Sequence, residues 1–138
     1  MEDKPIAATP QRPLGSRPLN AELLLLDLPA AAGQLHQEPA WANSDRNALT
    51  LFKSDTLRLV LTALHAGATM ETHTAKGIIS VQVLTGRLTF STAVQTVELG
   101  IGQLLTLQAG VPHSVTALQE TTFLLTLAAG KASQPTPA

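Results

Sequence analysis

His73 and His113 are the two side chains whose type and placement point to chemistry in this chain. A neutral imidazole can ligate a metal, accept a proton or hold a polar ligand group. Each stands in glycine-punctuated, β-rich sequence, His73 after Gly67 and His113 after Gly102 and Gly110. The other two histidines read differently. His36 lies beside a helical stripe and reads as exposed, and His65, before Ala66 and Gly67, reads as an exposed turn residue with no role. There is no cysteine, which removes disulfides, thiolate zinc sites and cysteine nucleophiles together and fits a reducing cytoplasm, the expected location. Any metal must therefore use histidine, carboxylate or amide donors.

No competing constellation is present. Gly100-Ile101-Gly102 precedes a β-type run rather than opening a helix, so it is a turn and not a phosphate loop. No G-x-S-x-G elbow exists to carry a serine nucleophile. Asp3, Glu38, Asp45, Asp55, Glu98 and Glu120 fall in loops or beside turns, with no pair placed as acid and base. A net charge of −1 from 9 Lys and Arg against 10 Asp and Glu offers no basic surface for nucleic acid. The longest strongly apolar run, Leu23 to Leu26, is far short of the ~20 residues that span a bilayer, so no membrane partner is expected. Arg12 and Arg17 ahead of a Leu-rich patch ending in Ala30 to Ala32 loosely imitate a secretory signal, but Glu22, Asp27 and Pro29 interrupt its apolar centre.

The elements that must position the histidines follow from periodicity. At 138 residues, with 44% hydrophobic and 14% charged side chains, the chain can bury one real core. Residues 1–18, with Pro5, Pro10, Pro13, Gly15 and Pro18, read as an extended arm, and 129–138, with Pro135 and Pro137, as a flexible tail. Leu23 to Leu26 reads as a short buried strand. Asp27 reads as an N-cap and Pro29 as first-turn proline of a helix running to about Gln37, whose Leu28, Ala31, Ala32 and Leu35 form an apolar stripe. Pro39 ends that helix, and Trp41 is read as sealing the core edge.

From Asn47 the texture changes to short β-type runs. Leu49 and Leu51, then Leu57, Leu59 and Leu61, alternate with polar residues around a turn at Lys53 to Asp55. Further runs lie at 78–84, 88–93, 95–99, 104–107, 114–118 and 121–128. Strand parity carried from His73 sets Ala75, Gly77, Ile79, Val81 and Val83 on the same interior face and turns Ser80, Gln82 and Lys76 outward. Eight or so short strands with little helix after residue 40 predict an all-β fold, an antiparallel barrel or jelly roll with a short N-terminal helix.

Within that frame the chain resembles the cupins. Gly67, His73, Ala75, Ile79 and Gly86 fall at the positions of the first cupin motif, Gly, His-x-His, Glu and Gly, over 67–86. Gly102, Gln108, Gly110, His113 and Ala117 similarly resemble the second motif, Gly, Pro-x-Gly, His and Asn, over 102–117. The strings VQVLTGRLTF and LQAGVPHSV look like those of small stand-alone bacterial cupins, so one cupin domain over 19–128 is expected, folded as a double-stranded β-helix. The resemblance implies a divalent metal held by two His and the Glu of the first motif and the His of the second. Carried over, His73 and His113 match the first and last ligands, while Ala75 and Ile79 stand where the others belong and cannot bind metal. Useful metal sites commonly have three or more protein donors, so two imidazoles alone make a weak one. Glu71, on the strand parity of His73, is the one carboxylate placed to replace a ligand.

Beside a structural or regulatory barrel that binds no ligand, two functional readings follow. In one, the protein binds a small, mostly apolar molecule in a pocket lined by Ile79, Val81, Val83, Leu88, Phe90, Val115 and Phe123, with the two histidines as polar handles and no interior charge. In the other, it is a metal-dependent cupin enzyme of the oxygenase or isomerase type, with His73 and His113 as ligands. A homodimer is expected in either case, because pairing covers an open sheet edge.

Overall fold

The computed structural model describes residues 18–128. Of the sequence expectations, the arm apart from Pro18 and the tail from residue 129 lie outside these residues. The chain enters through an extended segment, pinned where the Lys53 amide donates to the Leu19 carbonyl at 3.0 Å. Leu23 to Leu26 forms no strand, contrary to its apolar reading: Leu23 and Leu25 face solvent, and only Leu24 and Leu26 are half-buried. Four leucines in a row supply hydrophobicity, but a strand also needs a neighbouring strand to bond.

Helix α1 spans Leu28–Gln37 and α2 spans Pro39–Asn43. The first starts as its residues dictate, with the Asp27 carboxylate accepting from the Ala30 amide at 3.0 Å and proline in the first turn, whose missing N–H is no loss there. Pro39 ends α1 as expected and also opens α2, which carries Trp41 into the core.

Among the described residues nine antiparallel strands follow, namely β1 Arg46–Lys53, β2 Arg58–Leu64, β3 Thr69–His73, β4 Ile78–Thr85, β5 Arg87–Ser91, β6 Thr96–Gly100, β7 Leu104–Leu107, β8 His113–Ala117 and β9 Thr121–Ala128. They form a five-stranded sheet in the order β1-β2-β9-β4-β7 and a four-stranded sheet in the order β3-β8-β5-β6. The two sheets enclose the jelly-roll barrel expected from the sequence.

Cross-strand partners share a face, so register alone locates the cores. Across the larger sheet, Thr62, Phe123 and Val83 form one inward row, and Val60, Leu125, Val81 and Leu105 form the next. These pack against Leu88, Phe90, Leu99, Val115 and Ala117 of the smaller sheet as the barrel interior. The opposite face of the same sheet carries Leu49, Leu51, Leu61 and Ala63, which pack under Leu35 and Trp41 of the helices. Each fully buried Leu or Val contributes roughly 1.5–3 kcal/mol. Asn47 locks this second layer, its amide donating to the Leu35 carbonyl at 3.0 Å and to the buried Glu38 carboxylate at 2.9 Å.

Two local expectations change. His73 and Ile79 do not share a strand: β3 belongs to the smaller sheet and β4 to the larger, with Thr74 to Gly77 crossing between them. His36 and His65 are half-buried rather than exposed. The His65 ring stacks on Trp41 at 3.5 Å between centroids while Nε2 donates to the Trp41 carbonyl at 2.8 Å, and His36 meets Trp41 edge-on at 4.9 Å. Trp41 seals the core edge as expected, with these imidazoles as its cover.

Candidate functional site

Register places the two histidines together. In the β3–β8 ladder, His73 and His113 are direct partners, although 40 residues separate them in the chain. Their rings lie 4.3 Å apart. The loops that carry them are also tied, with the Gly110 amide donating to the Ala75 carbonyl at 2.9 Å. His113 is buried and lies face to face with Phe90, 5.2 Å between centroids and 9° between planes; His73 is exposed at the end of its strand.

Both imidazoles are held the same way. His73 Nδ1 lies 2.7 Å from the Glu71 carbonyl, and His113 Nδ1 lies 2.9 Å from the Val111 carbonyl. A carbonyl oxygen only accepts, so each Nδ1 carries the proton and donates. Nε2 is thereby the nitrogen of each ring left free for a ligand, a lone-pair acceptor whenever the ring is neutral. The paired sites can accept hydrogen bonds from a ligand, take up a proton or donate to a cation.

The histidines border a cavity of about 410 Å³ at one end of the barrel. Five of the seven pocket residues expected from the sequence line it: Ile79, Val81, Phe90, Val115 and Phe123. Val83 and Leu88 do not; they are fully buried in the packed core. The reason is register, since β4 runs inward from the cavity at Ile79 and Val81 to Val83, which lies beyond the Phe123 side chain that closes the cavity's inner end.

Parity missed other lining residues. Met70, Leu125 and Leu127 extend the apolar wall, and Arg58 and Lys76 bring positive charge to it. Lys76 was expected to face outward; it lines the cavity because Thr74 to Gly77 is a crossing loop to which strand parity does not apply. Arg58 was legible in principle. It shares parity with Val60 and Leu64 on β2, but the alternate set Leu57, Leu59 and Leu61 drew the reading toward the opposite face, and both faces of this strand are covered.

The donor set does not fit the cupin metal centre. Among the described residues, no group of three or more His, Cys, Asp and Glu side chains could hold an ion. Ala75 and Ile79 occupy the missing ligand positions as apolar cavity wall. Glu71 does not replace them. It is exposed beside an irregularity in the β3–β8 ladder, and its charge is a minor cause, after the Asp45 hydrogen bond, of the raised pKa of the Arg46 guanidinium.

No family model and no curated protein sequence matches this chain. Solved structures match its fold. A conserved protein of unknown function from Streptococcus pyogenes aligns at 22% identity with a TM-score of 0.64, covering 80% of this chain and 90% of that one. A cupin-2 domain containing protein from Shewanella frigidimarina aligns at 13% identity and a TM-score of 0.61, over 75% and 94% of the two chains. A salicylate 1,2-dioxygenase from Pseudaminobacter salicylatoxidans aligns at 21% identity and a TM-score of 0.57, over 62% of this chain but 26% of that enzyme. Proteins sharing this barrel thus include an enzyme and a protein with no known activity, so the fold assigns no reaction.

Proposed function

We propose that this small cupin-fold protein binds a compact, mostly apolar small molecule in its barrel cavity, with His73 and His113 as hydrogen-bonding handles. The observation that carries the reading is the composition of the cavity. Aliphatic and aromatic side chains make up most of its wall, while two bare Nε2 atoms stand side by side at one edge. A volume of about 410 Å³ lies within the roughly 300–1,000 Å³ of small-ligand pockets. Burying the ligand's apolar surface supplies affinity, and the imidazoles orient it.

A thermal-shift screen of small cyclic and aromatic compounds tests this. Hits should stabilise the protein, and Leu125→Trp, which fills the cavity from a half-buried position, should remove their effect. An empty screen, or hits that bind the variant unchanged, would overturn the reading.

The second reading, a metal-dependent enzyme of oxygenase or isomerase type, draws on one observation: carbonyl-anchored Nδ1 atoms are the usual support of metal-bound imidazoles. With two donors such an ion would bind weakly and complete its shell from solvent or ligand. A homodimer and a cytoplasmic setting accompany either reading. The apolar Leu23 and Leu25 face solvent, and β1 and β7 are open edges of the larger sheet. Light scattering reporting a monomer would remove the dimer.

A further inference from the structure

The cavity mouth carries charge of one sign. Arg58 and Lys76 line it, and no Asp or Glu is among its lining residues. Arg58 begins an inward-facing row, paired with Leu127, which is paired in turn with Ile79. It therefore occupies the barrel side of the sheet, where the rows beyond it hold Leu, Val and Phe. Lys76 reaches the same cavity from the crossing loop between β3 and β4.

The other two described arginines are neutralised by carboxylates. Arg46 bonds Asp45 at 2.8 Å, and Arg87 bonds Glu98. Arg58 has no such partner among the described residues. An exposed guanidinium with no carboxylate partner among the described residues, at the rim of an apolar wall and joined there by an exposed ammonium, is arranged for an anion supplied from outside.

We infer that the ligand is amphipathic and monoanionic, an apolar body carrying one carboxylate that Arg58 and Lys76 hold at the mouth while the body enters the barrel. This deepens the small-molecule reading and rests on it. A single carboxylate at the rim stays partly hydrated, which avoids the desolvation that a dianion would suffer deeper in the apolar cavity. The alternative is that the Arg58 stem covers Leu127 and its head simply reaches water.

Matched pairs differing only in charge separate these. Calorimetric titrations would compare cyclohexanecarboxylate with cyclohexanecarboxamide, and 3-phenylpropanoate with 3-phenylpropanamide, at low and high salt. The acid should bind about tenfold more tightly than its amide at low salt, and added salt should narrow the gap. In an Arg58→Gln, Lys76→Gln double variant, the acid-to-amide ratio should fall to about one, and Arg58→Lys should restore much of it. Circular dichroism of each variant controls for folding. Equal binding of acid and amide by the parent protein, or an acid preference that survives in the double variant, overturns the inference while leaving the apolar pocket standing. Failure of every acid and amide to bind overturns the pocket reading as well.

Discussion

Gly86→Ala should be among the most damaging single-methyl additions in this protein, and the structure shows why. Gly86 joins β4 to β5, the strands that place Ile79, Val81 and Phe90 around the cavity, and its backbone has φ of 88°. That left-handed conformation costs a residue with a Cβ roughly 1–2 kcal/mol. The turn also packs against the start of β9, where Thr121 Oγ1 accepts from the Arg87 amide and donates to the Arg87 carbonyl, both at 3.0 Å. A Cβ on Gly86 would sit 2.2 Å from the Glu120 carbonyl oxygen and 2.7 Å from the Thr121 Cα. Both are backbone atoms of a hydrogen-bonded turn, so relief requires moving the turn, at about another 1–3 kcal/mol. Gly102 supplies the control, because its φ is 82° but nothing lies within 4 Å of an added Cβ. Gly102→Ala should therefore lose about 1–2 kcal/mol and Gly86→Ala about 2–5 kcal/mol. In urea unfolding followed by circular dichroism, the difference appears as a lower midpoint at similar slope. Equal losses in the two variants would refute the packing argument, since conformation alone would then account for both.

Other consequences concern polar links. Asn47→Ala removes two buried hydrogen bonds that fasten α1 to β1 and should cost about 2–3 kcal/mol in the same assay; a loss under about 0.5 kcal/mol would contradict that role. The hydrogen bond from Arg46 holds the Asp45 carboxyl below its ordinary pKa of 3.8. A depressed pKa means stabilisation that is present above the ordinary value and lost as pH falls through the folded one. Asp45→Asn should thus lower the melting temperature slightly at neutral pH, with the gap to the parent closing below pH 3.8; a gap constant with pH would contradict the pairing.

The sequence made some parts of this molecule legible and hid others for identifiable reasons. Capping by Asp27 and the helix to Gln37 could be read because both depend on neighbours in the chain. The inward set Ile79, Val81 and Val83 could be read because parity holds within one strand. The same rule failed from His73 to Ile79, where Thr74 to Gly77 changes sheets, and there it turned Lys76 the wrong way. Leu23 to Leu26 misled because apolar character does not supply a pairing edge. The stacking of His65 on Trp41 joins residues 24 apart through tertiary packing alone, and no local pattern marks it. His73 and His113 were found through motif frames; their pairing, ring orientation and matching Nδ1 donors needed the ladder.

The two-histidine cavity is proposed to take a small molecule, and its two donors fall short of a cupin metal centre. The most direct test is total metal analysis of protein purified without an affinity tag or chelator, beside the His73→Ala, His113→Ala double variant. Well under one ion per chain is expected in both, because two imidazoles are too few donors to retain a divalent ion through purification. Close to one ion per chain in the parent, lost in the variant, would contradict it and make the metal-enzyme reading the better one.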